Sequence, residues 1–325
     1  MRPVSSYAVS RILDFCPHLN GERVEWRLGY ASFACVDRGF LYIEVPKAAC
    51  TAIKTFLRSL FTDAPLRLFI ENNRETRRDM FIHSRSNVPI PPITSLPGTV
   101  QRELFESPDV LRFTVVRNPY ARLVSAWRDK VLLREPTVED VHSSVHGDVT
   151  FAKFVAYIER SNPANWDDHW AKQVDLCFPS AIPFNHIGKI ETLSETAHAL
   201  GCHLGIPVAL PIKNSGALRV EPEVSEATRI SIATLYADDF TSFGYDPNCY
   251  PRTFGCSEVS AAKFIDEIVE RNLVIADLYA QLDRLRATFE ALQLAHGRDS
   301  MSGEIMGAEH STLDDDDSSK KPDVI

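Results

Sequence analysis

The hydrophobic pattern of the chain predicts two strand–turn–helix units, and the first begins with the apolar run LYIEV at residues 41–45. A short run of this kind is typical of a buried strand. Pro46 ends it because proline cannot donate a hydrogen bond to a neighbouring strand. Apolar residues then recur at the spacing of an amphipathic helix, namely Ile53, Phe56, Leu57, Leu60 and Phe61.

The second unit has the same plan and begins with the β-branched and apolar run FTVV at residues 113–116. Asn118 is a good helix N-cap and Pro119 a good first helical residue, so we expect a helix to begin there. The buried face of this helix is predicted from Tyr120, Leu123, Val124 and Trp127. Arg117 therefore lies at the carboxyl end of a strand, where open α/β sheets bind their ligands.

The whole chain predicts an α/β protein with four regions. Residues 1–37 give an N-terminal element and the first strand of a hairpin, SFACV-DRG-FLYIEV, and residues 38–250 give the α/β core. Residues 257–296 predict a long helix with a 3-4 apolar spacing, which indicates either homodimerisation or docking on its own domain. Residues 297–325 predict a disordered acidic tail. Core helices are expected near residues 51–61, 119–133, 150–160, 193–203 and 225–238.

The turn of the first unit, KAACT at residues 47–51, carries a lysine among small residues. Small side chains let an anion approach the backbone N–H groups at a helix N-terminus. Lys47 adds a positive charge and Thr51 adds a hydroxyl. No GxxxxGK[ST] sequence occurs in the chain, so this is not a Walker A loop. The alternative is an ordinary strand-to-helix turn with a surface lysine.

The turn of the second unit predicts another anion site. Ser125 lies off the apolar stripe, about a turn and a half into the helix, so Arg117 and Ser125 are expected to reach one phosphate. Arginine suits this task because its guanidinium matches phosphate oxygens bidentately. For Arg117 alone, the alternative is a structural ion pair. Together the two turns predict one site for a ligand with two separate anionic groups.

These segments resemble the donor-binding motifs of sulfotransferases. VPKAACTAIK is similar to the 5′-phosphosulfate-binding loop of that family, and VVRNPYARLVSAWRDK to its 3′-phosphate-binding strand and helix, R-[DN]-P-x-x-R-x-x-S-x-[WY]. Three more segments resemble the carbohydrate branch, sulfotransferase family 2, which includes chondroitin and dermatan 4-O- and heparan 2-O-sulfotransferases. They are DDHWAKQVDLCFP at 167–179, HIGKIETL at 186–193 and IATLYADDFTSFGYD at 232–246. The resemblance spans roughly residues 38–248, in the order of the family.

The resemblance implies a P-loop-like sulfotransferase fold with a central, mainly parallel sheet flanked by helices. It implies 3′-phosphoadenosine 5′-phosphosulfate (PAPS) as donor, no metal, and a hydroxyl of a carbohydrate-type acceptor. Lys47 would stabilise the departing 5′-phosphate, and Arg117 and Ser125 would hold the 3′-phosphate. Lys213 lies where the family often has a loop that closes on the donor. The backbone that would hold the 5′-phosphosulfate belongs to Ala48, Ala49, Cys50, Thr51 and Ala52.

A general base must also take the proton of the acceptor, and histidine is the usual proton acceptor near neutral pH. His83 is the first candidate, because relatives of the heparan 2-O enzymes carry a histidine before an arginine in this interval. The wider H-x-R-H pattern is incomplete, since residue 86 is serine. His169 is the competing candidate. It lies between Trp166 and Trp170, and we favour a packed structural role for it.

Composition excludes several classes of protein. A net charge of −9 argues against general nucleic-acid binding. No run approaches the roughly 18 consecutive apolar residues of a membrane span, and the N-terminus lacks a secretory segment. Seven scattered cysteines without a CxxC pair fit a reducing compartment. These features predict a soluble cytoplasmic enzyme. The alternative is an enzyme of the Golgi lumen whose anchor has been removed.

Two other function classes remain open on the sequence. A nucleotide-dependent kinase shares the strand–turn–helix plan, but the missing Walker A loop and the pair of Arg117 and Ser125 argue against it. A non-catalytic nucleotide- or glycan-binding relative is the second class. The presence of Lys47 together with Arg117 and Ser125 argues against that class.

Overall fold

The structure is a computed structural model, and it describes residues 6–62, 82, 85, 88–132, 150–210, 220–251, 281, 284–285 and 287–289. The chain divides into two compact units, Met1–Val269 and Glu270–Ile325. The strands of the first unit are β1 (Ser32–Cys35), β2 (Phe40–Ile43), β3 (Leu111–Val116) and β4 (His186–Lys189). Its α-helices are α1 (Tyr7–Phe15), α2 (Gly21–Ala31), α3 (Cys50–Ser59), α4 (Gly98–Glu106), α5 (Pro119–Ala126), α6 (Phe151–Arg160), α7 (Gln173–Cys177), α8 (Leu193–Leu204), α9 (Glu226–Leu235) and α10 (Ala237–Phe243).

The strands form one sheet in the order β1-β2-β3-β4. β1 and β2 are antiparallel, with Ser32 opposite Ile43, and they form the predicted hairpin. β2 is parallel to β3 and β3 is parallel to β4. The prediction of an α/β fold with a mainly parallel sheet is therefore confirmed. Since β2 and β3 are parallel neighbours, the turns that follow them lie at the same edge of the sheet.

Both faces of the sheet are covered by helices, because successive side chains along each strand point to opposite faces. Leu41 and Ile43 belong to an apolar core with residues of α1, α2, α4 and α5. Phe40 and Tyr42 belong to a second core with residues of α3 and α8. In that second core the rings of Tyr42 and Phe113 stack at 4.9 Å between centroids. The result is a three-layer arrangement of helices, sheet and helices.

Gly188, in the HIGKIETL segment, lies where β4 and α8 are in close contact. A Cβ atom on Gly188 would collide with Thr196 Oγ1 of α8, and Thr196 is fully buried. Glycine at this position of β4 therefore lets α8 approach the sheet closely.

Several helices differ in detail from the sequence predictions. The helix expected near 119–133 is α-helical only to Ala126, and Trp127–Leu132 continue as a π-helical turn. The helix expected near 225–238 is broken at Tyr236, which separates α9 from α10. The N-terminal element consists of α1 and α2, capped by the side chains of Ser6 and Asn20. No helix within the described ranges is both long and apolar enough to span a membrane.

In the second unit, residues 281, 284–285 and 287–289 are helical. The other positions of the predicted helix 257–296, and the acidic tail, lie outside the described residues. Homodimerisation through this helix therefore stays a prediction.

Candidate functional site

The turn between β2 and α3 has an unusual backbone. Lys47 and Ala49 have φ angles of 67° and 62°, a left-handed conformation that non-glycine residues rarely adopt. Such conformations are concentrated at functional sites, where the surrounding structure enforces them. Ala49 is the N-cap of α3, and no side chain caps this helix. The turn thus presents the N-terminus of α3, with its partial positive charge, beside Lys47.

The side chain of Lys47 forms an ion pair at this turn. Its Nζ atom lies 2.7 Å from Oδ2 of Asp129, in the π-helical turn that follows α5. Burial would raise the pKa of Asp129, but the charges of Lys47 and Lys130 and the hydrogen bond from Lys47 bring it below its ordinary value. Asp129 is therefore ionised at neutral pH, and it holds the ammonium group of Lys47 at the edge of the sheet.

Arg117 joins the second turn to the first. Its Nη1 atom donates to the backbone oxygen of Lys47 at 3.3 Å. Burial lowers the pKa of the Arg117 guanidinium, Arg128 and Arg122 lower it further, and Glu191 opposes them. The two predicted anion-binding turns are thus in direct contact, and an anion placed there would relieve the repulsion between the arginines.

The helix that carries Ser125 begins as predicted. The Asn118 side chain accepts hydrogen bonds from the backbone N–H groups of Tyr120 at 3.0 Å and of Ala121 at 3.4 Å. Ser125 is half-buried on α5. Arg128, three residues further on, lies close enough to Arg117 to lower its pKa, and sequence reasoning missed it. The signal available in the sequence was its spacing of three residues from Ser125, which places both on one helical face.

A buried arginine links the Lys47 turn to the DDHW segment at residues 167–170. Arg122 donates from Nε to the Pro46 oxygen at 3.0 Å, from Nη1 to the Ala171 oxygen at 2.7 Å and from Nη2 to the Asp168 oxygen at 2.7 Å. Arg27 makes a second link, because it contacts Asp168 Oδ2 at 2.8 Å and the backbone oxygen of Glu44. The DDHW segment is therefore held beside the end of β2.

The backbone of Arg117 is positioned by Gln173. The Gln173 side chain accepts from the Arg117 N–H group and donates to the Arg117 oxygen, both at 2.9 Å. Asp239 in turn accepts from the backbone N–H groups of Gln173 at 2.9 Å and of Val174 at 3.0 Å. Gln173 and Asp239 are both fully buried. Two of the segments that carry the family resemblance therefore act by fixing the end of β3.

His169 lies in the same region, and its ring is hydrogen-bonded to a carboxylate. Its Nδ1 atom lies 2.6 Å from Asp167 Oδ1, which also accepts from the His169 backbone N–H group at 2.8 Å. The flanking Trp166 and Trp170 are buried, each with 3% of its surface exposed. The His169 side chain is 28% exposed, so it is the tryptophans that supply the packing of this segment.

The remaining predicted site residues divide into two groups. Ala48, Cys50 and Ala52 are buried in the Lys47 turn and the first turn of α3, and burial raises the pKa of the Cys50 thiol. Thr51 is also buried there. His83 and Lys213 lie outside the described residues.

The fold and site define an α/β protein in which two cationic turns, at the ends of neighbouring parallel strands, meet at one edge of the sheet. The model of the sulfotransferase family matches residues 31–246, which is more than half of the chain. The chain belongs to the sulfotransferase family.

Curated relatives of the chain carry names within one branch of that family. The chain is 28% identical to carbohydrate sulfotransferase 14 of Danio rerio, over 64% of the chain and 60% of the relative. It is 28% identical to human carbohydrate sulfotransferase 9, over 62% and 46%, and 27% identical to mouse carbohydrate sulfotransferase 12, over 64% and 58%. The chain thus spans about half to three-fifths of the length of these relatives. No solved structure gives a significant match.

Proposed function

We propose that this protein transfers a sulfuryl group from PAPS to a hydroxyl group of a carbohydrate acceptor, by in-line displacement. The observation that carries the proposal is the contact between Arg117 Nη1 and the Lys47 oxygen, because it joins the two cationic turns. A donor with a 5′-phosphosulfate and a separate 3′-phosphate matches two adjacent anion sites. The carbohydrate acceptor is inferred from the names of the relatives.

In this proposal the Lys47 turn takes the 5′-phosphosulfate. The backbone of residues 48–52 and the N-terminus of α3 would hold its oxygens. Lys47 would stabilise the charge that builds up on the phosphate oxygen as the S–O bond breaks. The ammonium group has three N–H donors, so Lys47 can contact that oxygen while it stays bonded to Asp129.

The second turn takes the 3′-phosphate in this proposal. Arg117 would bind it bidentately and Ser125 would donate a hydroxyl hydrogen, while Arg128 adds positive charge nearby. Lys213 would close over the bound donor. Catalysis then depends on placing donor and acceptor in line and on stabilising charge, since sulfuryl transfer, like phosphoryl transfer, needs little covalent help from the protein.

The test is transfer of ³⁵S-sulfate from labelled PAPS to three acceptors: desulfated chondroitin, desulfated dermatan and desulfated heparan. We expect the wild-type protein to label at least one of them. Lys47→Ala should lower the rate by about 100-fold or more, because a single preorganised charge is removed from the transition state.

Lys172→Ala is the matched control. Lys172 makes an ion pair of the same 2.7 Å length with Asp238, on the surface of the same unit. This variant should retain the wild-type rate. The proposal fails if none of the three acceptors is labelled, or if Lys47→Ala transfers as fast as Lys172→Ala.

A further inference from the structure

The geometry around His169 indicates a base that is ready to accept a proton. Asp167 Oδ1 lies 2.6 Å from Nδ1 of His169, and the Asp167 pKa is lowered: burial would raise it, but the hydrogen bonds from the ring and backbone N–H group of His169 and the charge of Lys130 outweigh that effect. An ionised carboxylate only accepts, so in the neutral ring Nδ1 carries the hydrogen and Nε2 carries the lone pair. Within the described part of the chain, Nε2 has no hydrogen-bond partner.

Hydrogen bonds fix the place of this ring relative to Lys47. Arg122, which is 2% exposed, donates to the backbone oxygen of Pro46 at 3.0 Å and to that of Asp168 at 2.7 Å. Pro46 directly precedes Lys47, and Asp168 directly precedes His169. The two side chains therefore project from backbone segments that one guanidinium holds together.

The charges in the region agree with this placement. His169 is among the groups that lower the pKa of Asp129, the partner of Lys47, and Lys130 acts on both Asp129 and Asp167. The charged groups of this region are thus Asp129, Asp167, Lys130 and, through its ion pair with Asp129, Lys47.

We propose that His169 is the general base of the transfer reaction and that Asp167 is the residue that positions it. This inference rests on the proposed function. The proton of the acceptor hydroxyl passes to Nε2, and the oxygen uses the freed electron pair to form the new bond to sulfur. The bond between sulfur and the 5′-phosphate oxygen breaks, and its electron pair stays on that oxygen beside Lys47. The ring later returns its proton to water.

The test compares His169→Gln and Asp167→Asn with the wild-type protein, using ³⁵S transfer to whichever of the three desulfated polysaccharides takes label. His169→Gln should lower kcat by about 100- to 10,000-fold, the range for loss of a general base. In the wild-type protein we expect kcat/KM to fall at acid pH, because a protonated base cannot accept the proton of the acceptor. His169→Gln should remove this fall. Asp167→Asn should lower kcat by about 10-fold and move that fall to lower pH, because the neighbouring negative charge is lost.

The matched control is His18→Gln. His18 forms an exposed pair with Asp175, with Nε2 3.1 Å from Oδ1, and is not part of the site. Binding of 3′-phosphoadenosine 5′-phosphate, followed by calorimetry, should be equal in all variants, which shows that the donor site is intact. If His169→Gln fails this binding test, His169→Asn takes its place, and the same loss of kcat is expected.

Two outcomes overturn the inference. If the wild-type protein transfers sulfate and His169→Gln keeps its rate and its pH profile, the base is another group and the proposed function stands. The same holds if His83→Gln, and not His169→Gln, removes the fall at acid pH. If the wild-type protein labels none of the three acceptors, the proposed function fails, and this inference fails with it.

Discussion

Arg117 Nη1 and the backbone oxygen of Lys47 are hydrogen-bonded at 3.3 Å, although the two residues are 70 positions apart in the chain. This contact is possible because β2 and β3 are parallel neighbours, so their carboxyl ends coincide. The contact therefore places the two cationic turns side by side at the end of the sheet, as the proposed function requires.

Replacement of Arg117 by lysine should weaken binding of the 3′-phosphate and leave binding of the 5′-phosphate unchanged. A lysine keeps the charge but loses the bidentate fork. We expect the affinity for 3′-phosphoadenosine 5′-phosphate to fall about 10- to 100-fold, since a hydrogen bond to a charged group contributes about 1.5–3 kcal/mol. The affinity for adenosine 5′-phosphate should stay within about two-fold, because that ligand lacks the 3′-phosphate.

Calorimetric titration of both nucleotides measures this effect. Arg102→Lys is the control, since Arg102 is exposed on α4 and lies over the Tyr7 ring at 4.8 Å. Equal losses for both nucleotides in Arg117→Lys would contradict a specific role at the 3′-phosphate.

Replacement of Asp129 by asparagine should strengthen the binding of the bisphosphate product. The Asp129 carboxylate occupies one of the three N–H donors of Lys47 and repels the anion, and an exposed charge pair contributes up to about 1 kcal/mol. We therefore expect binding to be about two- to five-fold tighter. Asp238→Asn, at the similar pair with Lys172, should have no effect.

The pH dependence of the difference in bisphosphate affinity between Asp129→Asn and the wild-type protein follows from the lowered pKa of Asp129. Its pairing with Lys47 is present above the ordinary aspartate value of about 3.9, and it is lost only as pH falls through the lower folded value. The ratio of variant to wild-type affinity should therefore be constant between pH 6 and 8. Weaker binding by Asp129→Asn would show that the carboxylate helps the donor to bind.

Replacement of Lys54 by methionine should destabilise the fold. Lys54 Nζ lies 3.0 Å from both carboxylate oxygens of Glu44, and the two side chains are 2% and 3% exposed. Removal of one partner from a buried pair typically costs about 3–5 kcal/mol, because the other charge stays buried. Urea denaturation should show this loss, whereas Lys172→Met should cost less than about 1 kcal/mol.

The double variant of this pair tests the cause. If the cost comes from a buried charge without its partner, Glu44→Gln combined with Lys54→Met should recover at least about half of the lost stability. A double variant that loses the sum of the two single effects would indicate lost packing instead.

The parts of the site that follow from local pattern were predictable from the sequence. The strand, turn and helix around Lys47 follow from an apolar run, a proline and a 3-4 spacing, and the start of α5 follows from Asn118 and Pro119. The α/β fold followed from the repetition of this plan and from the family resemblance.

The parts that depend on distant contacts could not be predicted. Arg122 lies on the apolar helix α5, and nothing in its spacing shows that it binds three backbone oxygens from two other segments. Likewise, Gln173 and Asp239 are ordinary polar residues in the sequence, and only the tertiary structure brings Gln173 to the backbone of Arg117 and Asp239 to the backbone of Gln173. The role of His169 stays a prediction, because its tryptophan neighbours favour a packed structural residue, and in the structure its ring is partly exposed and hydrogen-bonded to Asp167.

The most direct test of the account is the affinity of the wild-type protein for three nucleotides: 3′-phosphoadenosine 5′-phosphate, adenosine 5′-phosphate, and ATP with magnesium. If the turns of Lys47 and Arg117 bind one ligand at two phosphates, the bisphosphate should bind at least about 10-fold more tightly than either of the others. Equal affinity for all three nucleotides, or a preference for ATP with magnesium, would contradict the central claim.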